Sequence, residues 1–260
     1  MKAVYIVPIF LVFLFLFLYL YLQVSWLRIR KVHIKSSKLS RDYKILHLTD
    51  IHANPFIRYE NIFSSIQNEK PDLICITGDI IKKDSKELES LKELFENLEK
   101  IKLPLFFIYG NHDLRHKSRK KIESFLKNYP VHILKDESFE FEKDILINGY
   151  DHKKHLAPLN KSEEKFTLSL VHDPILFVRS IEQSDLVLCG HTHGGQVRFP
   201  IIGAVYVPNQ TFKPKYSKGL YETEKGSIYI DSGLGYSMLP LRFLNPIQMS
   251  YILIKKSGES

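Results

Sequence analysis

The sequence predicts an α+β domain preceded by one transmembrane helix. An uncharged apolar stretch opens the chain; beyond it, short apolar runs end in polar clusters, and amphipathic stretches with helical spacing separate those runs.

Residues 3–27 carry no charge, and residues 10–22 are all Leu, Phe, Val or Tyr. Some twenty helical residues at about 1.5 Å each span about 30 Å, the thickness of the bilayer hydrocarbon. A cleaved signal peptide would have an apolar region of only about 7–15 residues and a small-residue cleavage site. The stretch has neither. Pro8 lies near its start, where it costs little, and Tyr19, Tyr21 and Trp26 suit the membrane interface. Residues 1–27 therefore read as a transmembrane anchor, with the bilayer as a partner.

The net charge of +8 suggests nucleic acid until it is located. Arg28, Arg30, Lys31, Lys35, Lys38, Arg41 and Lys44, set against Asp42 and joined by Lys2, leave only +1 for the chain beyond Lys44. The excess sits beside the helix end, where anionic headgroups attract each charge by about 1 kcal/mol. Residues 28–42 read as a basic juxtamembrane connector and residues 43–260 as the folded domain. By the positive-inside rule, that flank keeps the domain of a single-pass protein in the cytoplasm. The near-neutral body argues against nucleic acid as a partner, since a nuclease cleft is basic. Cys75 and Cys189 lie in apolar runs without metal-type spacing and are expected as buried, reduced thiols.

The remaining composition is ordinary for a globular domain, and a domain of about 200 residues buries roughly 70% of its unfolded surface. Residues 45–49, 73–77, 105–109, 167–172 and 186–190 read as buried strands. Helices are expected at 59–69, at 118–128, and at 85–100, where Leu88, Leu91, Leu94, Phe95 and Leu98 keep helical spacing. Alternating Tyr, Val and Ile in the tail adds further strands. Each of the five strands runs into a cluster of reactive residues, and loops at strand ends converge on one edge of a sheet.

Those clusters are Asp50-Ile51-His52, Gly78-Asp79, Gly110-Asn111-His112-Asp113, Val171-His172-Asp173 and Gly190-His191-Thr192-His193-Gly194-Gly195. Asp50 and His52, two apart at a strand end, can face the same way. The glycines around His191 and His193 let the backbone pass close to an ion or a phosphate. Oxygen and imidazole donors without thiolate suit Mn, Fe, Zn or Mg. A lone histidine at a strand end is more often a structural residue, but five clusters in order outweigh that reading.

In order and type the clusters resemble the calcineurin-like metallophosphoesterase family, over roughly residues 44–254. The resemblance implies a four-layer α/β/β/α sandwich and metal-dependent hydrolysis of phosphodiester or phosphoanhydride bonds. It implies two divalent ions, Mn foremost, with Fe, Zn or Mg as alternatives. Asp50, His52 and His193 would hold one ion, Asn111, His172 and His191 the other, and Asp79 would bridge them. Such a pair activates water and stabilises charge on phosphoryl oxygens, while His112 takes the part of the acid that protonates the leaving oxygen. One departure stands out: Lys82 occupies the place of a family aspartate that orients this histidine, and Asp84 is a candidate substitute.

Residues 190–200 (GHTHGGQVRFP) and 233–243 (GLGYSMLPLRF) resemble the bacterial, membrane- or envelope-associated branch of the family. Within them Arg198 and Arg242 are candidate substrate contacts, because a guanidinium can fork onto phosphate oxygens. The branch includes enzymes that split the pyrophosphate of UDP-2,3-diacylglucosamine in lipid A synthesis, and general phosphodiesterases. It implies placement at the bacterial inner membrane. With the anchor, this points to a phosphate-containing lipid or nucleotide-lipid substrate, since a site held at a bilayer meets such molecules at high effective concentration. A non-catalytic metal-binding scaffold is the alternative from another class, and an intact ligand set disfavours it.

Overall fold

The computed structural model describes residues 3–83, 88–151, 159, 161–180, 183–207, 210, 214–236 and 239–258. In chain order the first elements are α1 (Ala3–Ser25), β1 (Arg28–Ser36), β2 (Tyr43–Leu48), α2 (Tyr59–Glu69), β3 (Leu73–Ile76), α3 (Lys92–Ile101) and β4 (Leu105–Phe107). Next come α4 (Asn111–Arg115), α5 (Arg119–Leu126), β5 (Val131–Ile133), β6 (Glu137–Phe141), β7 (Ile145–Gly149) and β8 (Phe166–Leu170). The chain continues with α6 (Pro174–Arg179), β9 (Leu186–Cys189), β10 (Arg198–Phe199), β11 (Gly203–Ala204), β12 (Gly219–Thr223), β13 (Gly226–Ile230) and β14 (Gln248–Lys256).

Two six-stranded sheets are formed, one in the order β1-β14-β2-β3-β4-β5 and one in the order β12-β13-β9-β8-β7-β6. Successive side chains on a strand point to opposite faces, and the apolar residues sort accordingly. Ile45, Leu73, Cys75 and Phe106 of the first sheet join Ile147, Leu168, Leu186 and Leu188 of the second in a core between the sheets. One residue out of step, Leu46, Ile74, Ile76 and Phe107 pack against Ile62 of α2, Phe95 of α3 and Ile122 of α5. Val187, Cys189, Ile228 and Ile230 pack with Phe177 of α6. The layers are α/β/β/α, as expected, and both cysteines are free and buried.

The strands stop one or two residues short of their predicted ends, because the chain leaves the sheet to build the loops described below. The helix expected at 85–100 begins as a short 3-10 turn, Glu89–Leu91, and continues as α3; residues 84–87 lie outside the described residues. A clearer correction concerns the basic connector. Residues 28–36 form β1, hydrogen-bonded in parallel to β14 with Val32 opposite Ile252. Its exposed Arg28, Arg30, Lys31 and Lys35 mask the strand pattern in sequence, and charged residues of this kind keep an edge strand from pairing with other chains.

Residues 7–18 of α1 are exposed on all sides. The helix segment Val7–Ser25, 19 residues with mean hydropathy 2.4, is the one helix among the described residues long and apolar enough to cross a membrane. Its last turns dock on the domain: Val24 is buried, Asn54 Nδ2 donates to the Val24 carbonyl at 3.1 Å, and the Asn245 N–H donates to Gln23 Oε1 at 2.8 Å.

The core between the sheets holds the two halves of the domain together. Phe106 is fully buried there and stacks on His132. Phe106→Ala is expected to cost about 3–5 kcal/mol, read as a lowered denaturation midpoint of the detergent-solubilised protein.

Candidate metal centre

Strands β2, β3 and β4 are mutually parallel, as are β8 and β9, so their carboxyl ends share an edge. Beyond those ends the backbone turns sharply. Asp50 (φ 48°), His52 (φ 50°), Asp79 (φ 53°), His191 (φ 69°) and His193 (φ 49°) all adopt the left-handed conformation. This is uncommon outside glycine and costs about 1–3 kcal/mol each. Hydrogen bonds between neighbouring loops hold it: the Asp50 N–H donates to the Gly78 carbonyl and the His52 N–H to the Asp79 carbonyl, both at 3.0 Å. Close approach explains two glycines. A Cβ on Gly110 would lie 2.2 Å from Asp79 Oδ1, and one on Gly190 would lie 2.0 Å from Thr49 Oγ1.

The seven sequence-predicted ligands meet in one buried cluster. On one side, His52 Nε2 faces His193 Nε2 at 3.2 Å, and Asp50 Oδ1 lies 3.6 Å from His193 Nε2 and 3.9 Å from His52 Nε2. On the other side, Asn111 Oδ1 lies 2.9 Å from His191 Nδ1 and 3.1 Å from His172 Nε2. Asp79 Oδ2 stands between, 3.2 Å from His172 Nε2 and 3.8 Å from His52 Nε2. Three groups of donor atoms, Asp50-His52-His193, Asp79-His172-His191 and His52-Asp79-His112, each lie close enough to share an ion.

The chemistry of the donors fits cations. Burial pushes the Asp50 carboxyl up to about 7 and holds His52 down to about 3 and His191 down to about 4. The His52 and His191 imidazoles therefore present lone pairs, and the Asp50 carboxylate lacks full charge compensation. Burial also works against ionisation of Asp79 and His172, but each favours the other's charged form, so Asp79 falls below the usual carboxylate range and His172 rises. The cluster demands positive charge, which a metal ion would bring. Surrounding groups aim the donors, as is usual for metal-binding histidines and carboxylates. His172 Nδ1 bonds the Thr77 carbonyl at 2.8 Å, leaving Nε2 to the cluster, and Asp50 accepts from Thr49 Oγ1 and from the His191 N–H.

His112 stands at the mouth, its ring 4.8 Å from that of His52. Its Nδ1 accepts a hydrogen bond from the Lys83 N–H at 3.2 Å. A backbone donor thus orients this histidine where the wider family uses a carboxylate. Lys82 turns away, with Nζ 3.5 Å over the Tyr236 ring, and Asp84 lies outside the described residues.

The two arginines are placed differently. Arg198 is half-buried and donates to the Gly194 carbonyl and to Ser217 Oγ, bracing the turn that carries His193. Arg242 is fully buried. Its guanidinium donates to the carbonyls of Ser232, Gly233, Gly235 and Asn245, so it cannot reach a substrate and instead stitches the loop beneath Asp50. The Leu234 and Gly235 N–H groups bond the Thr49 and Asp50 carbonyls from that loop.

Three supporting residues had been given no role. Asp113 accepts from the N–H groups of Asp79, Ile80 and Gly110, clamping two ligand loops together. Asp173 caps α6 and lies 3.7 Å from His191 Nε2. Both stand inside sequence clusters, so a signal for them existed. Asn245, whose Nδ2 donates to the His193 carbonyl at 2.7 Å, lies 52 residues from that histidine and carried none.

If Arg242 is structural, Arg242→Met strands several buried carbonyls and costs roughly 3 kcal/mol or more. A lowered thermal midpoint is then expected; a raised KM at unchanged stability would restore the substrate-contact reading.

The profile of the family described as "Calcineurin-like phosphoesterase" matches residues 43–195. The chain is 30% identical over 246 residues to the metallophosphoesterase YkuE of Bacillus subtilis, covering 86% of this chain and 84% of that one. It is 31% identical to a metallophosphoesterase of Helicobacter pylori, spanning 90% of this chain but 65% of that protein's length. It is 30% identical to the phosphodiesterase YaeI of Escherichia coli, covering 74% and 75% of the two chains. Among solved structures, the Escherichia coli phosphoesterase YfcE superposes with a TM-score of 0.41 at 12% identity, over 75% of this chain and 82% of that one. The chain belongs to the calcineurin-like phosphoesterase family and is a phosphoesterase hydrolase.

Proposed function

We propose that the chain hydrolyses a phosphodiester or phosphoanhydride bond of a membrane lipid, at the cytoplasmic face of a bacterial inner membrane, with two divalent cations in the cage. The carrying observation is Asp79 Oδ2, poised between two sets of buried donors at 3.2 Å and 3.8 Å. Asp50, His52 and His193 would hold one cation and Asn111, His172 and His191 the other, with Asp79 shared; the oxygen and imidazole donors suit Mn, Fe, Zn or Mg. A cation pair supplies Lewis acidity and lowers the pKa of water towards about 7.

The chain's own residues orient the reaction. Asp79 Oδ1 accepts the His112 N–H at 2.7 Å, so the shared carboxylate and the candidate leaving-group residue are fixed to one another. Because His112 Nδ1 accepts from Lys83, its proton resides on Nε2, placed to offer a hydrogen bond to the negative charge that develops on a leaving oxygen. A backbone donor, unlike a carboxylate, does not support the imidazolium form. This arrangement suits leaving groups that need little protonation, such as the UMP expelled from UDP-2,3-diacylglucosamine. The similarity to the Escherichia coli phosphodiesterase YaeI supports a diester as the alternative substrate. Membrane placement draws support from the uncovered apolar face of α1 and from the exposed basic residues of β1 that follow it.

The test uses the full chain in detergent, supplied in turn with Mn, Fe, Zn or Mg. Release of UMP from UDP-2,3-diacylglucosamine is expected; cleavage of bis-p-nitrophenyl phosphate alone would remove that substrate while keeping the class. Asp79→Asn should lower turnover about 10²–10³-fold and reduce bound metal measured by elemental analysis. Unchanged metal content would refute the shared ligand. His112→Ala should slow cleavage of an alkyl phosphodiester by at least about 10²-fold, with a smaller effect on a nitrophenyl ester. Equal losses on both would remove its role at the leaving group.

A further inference from the structure

We propose that the catalytic domain rests on the bilayer through a second apolar surface, formed by the β10–β11 turn and residues 239–244, which enters the membrane interface beside the metal centre. This rests on the reading of α1 as a transmembrane helix and adds to it a separate contact, one that sets where the site opens.

The surface is apolar and uncovered. Ile201 at the tip of the turn is 107% exposed, Ile202 56% and Phe199 43%; in the neighbouring segment Leu239 is 65% exposed and Leu244 47%. Exposed apolar residues gathered in this way mark an interaction surface. Ile201 also sits at φ 69°. A β-branched residue is strained there, and stability alone would favour glycine.

What covers this surface is indicated by its continuity with α1. Phe199 packs on Phe243 at 5.7 Å, and Phe243 packs edge-on against Tyr19 of α1 at 5.6 Å. The Leu244 N–H donates to Tyr19 Oη at 3.0 Å. Tyr19 precedes the end of α1 by six residues, or about 9 Å of helix. A helix that crosses the bilayer therefore holds both segments at the depth reached by interfacial elements, about 5–10 Å. The exposed Arg28, Arg30, Lys31 and Lys35 of β1 follow directly, at headgroup level. Lipid meets all of these demands together: apolar contact at the tips, interfacial aromatics and a basic rim.

The same segments support the site. Arg198 of β10 donates to the Gly194 carbonyl, and Asn245 donates to the carbonyl of His193. The apolar surface is thus one residue or one hydrogen bond away from the turn bearing a candidate ligand. A phosphate ester whose acyl chains remain in the bilayer would reach the cage without leaving the membrane, whereas a soluble ester would gain nothing from this surface.

The experiment reconstitutes the full chain in phosphatidylcholine–phosphatidylglycerol vesicles with an environment-sensitive fluorophore on Ile201→Cys; the native thiols are buried. Blue-shifted emission, quenched at least about twofold by lipids brominated on their acyl chains, is expected for an interfacial tip. Water-like, unquenched emission overturns the proposal. So does a shielded but unquenched label that cross-links between two copies, which would assign the surface to a second copy of the chain. The same label on Leu14→Cys reports the anchor. Loss of quenching there sinks the transmembrane reading and this proposal together, whereas loss at position 201 alone sinks only this one. A double Ile201→Ser, Ile202→Ser variant should retain hydrolysis of bis-p-nitrophenyl phosphate in detergent yet fall at least about fivefold on an acyl-chain nitrophenyl phosphodiester embedded in vesicles. Equal effects on both substrates would overturn the functional half of the proposal.

Discussion

A buried carboxylate costs several kcal/mol unless opposite charge meets it, and Asp79 is such a group, set among His52, His112 and His172 and met chiefly by His172. Much of the surrounding structure answers that cost. The His112 N–H bonds one of its oxygens, His172 faces the other, and Asp113 grips the backbone of the loop on which it stands. Bound metal would complete the balance, so metal binding and integrity of this end of the domain would be one problem. The left-handed backbone at Asp50, His52, Asp79, His191 and His193 belongs to the same answer, because strain at the ligands is sustained by the hydrogen bonds that tie each loop to its neighbour.

The cage exists only while the two sheets stay packed. The first sheet delivers Asp50, His52, Asp79 and Asn111 from the ends of β2, β3 and β4, and the second delivers His172, His191 and His193 from the ends of β8 and β9. Neither set alone surrounds an ion. The core between the sheets fixes their spacing, and the bond from the His191 N–H to the Asp50 carboxylate crosses the seam at the site itself. Side chains on strand ends inherit the rigidity of the sheets, which is how catalytic groups are held to within the tolerance that chemistry requires.

The helix and the site also share a residue. Asn245 bonds Gln23 of α1 through its N–H, His193 through Nδ2, and Arg242 through its carbonyl. The end of the apolar helix is therefore built into the loops beneath the cage. This contact relates the apolar helix to the site by a few hydrogen bonds and aromatic edges, with no long linker between them.

The amino-acid sequence by itself determined the apolar helix, the alternating strands and the seven donors, because helical and strand periodicity and the Asp, His, Asn and Gly clusters are local patterns that survive without the fold. It also carried Asp113 and Asp173, although their roles depend on what lies opposite. Tertiary structure alone decided that residues 28–36 are an edge strand, since their partner β14 is more than two hundred residues away and their charges obscure the alternation. It decided that Arg242 is a brace: a guanidinium looks the same in sequence whether it meets a phosphate or four carbonyls, and only burial distinguishes the two. The Lys83 N–H behind His112 and the Asn245 amide behind His193 were unreadable for the same reason. A backbone donor has no letter of its own, and a contact across 52 residues leaves no local pattern.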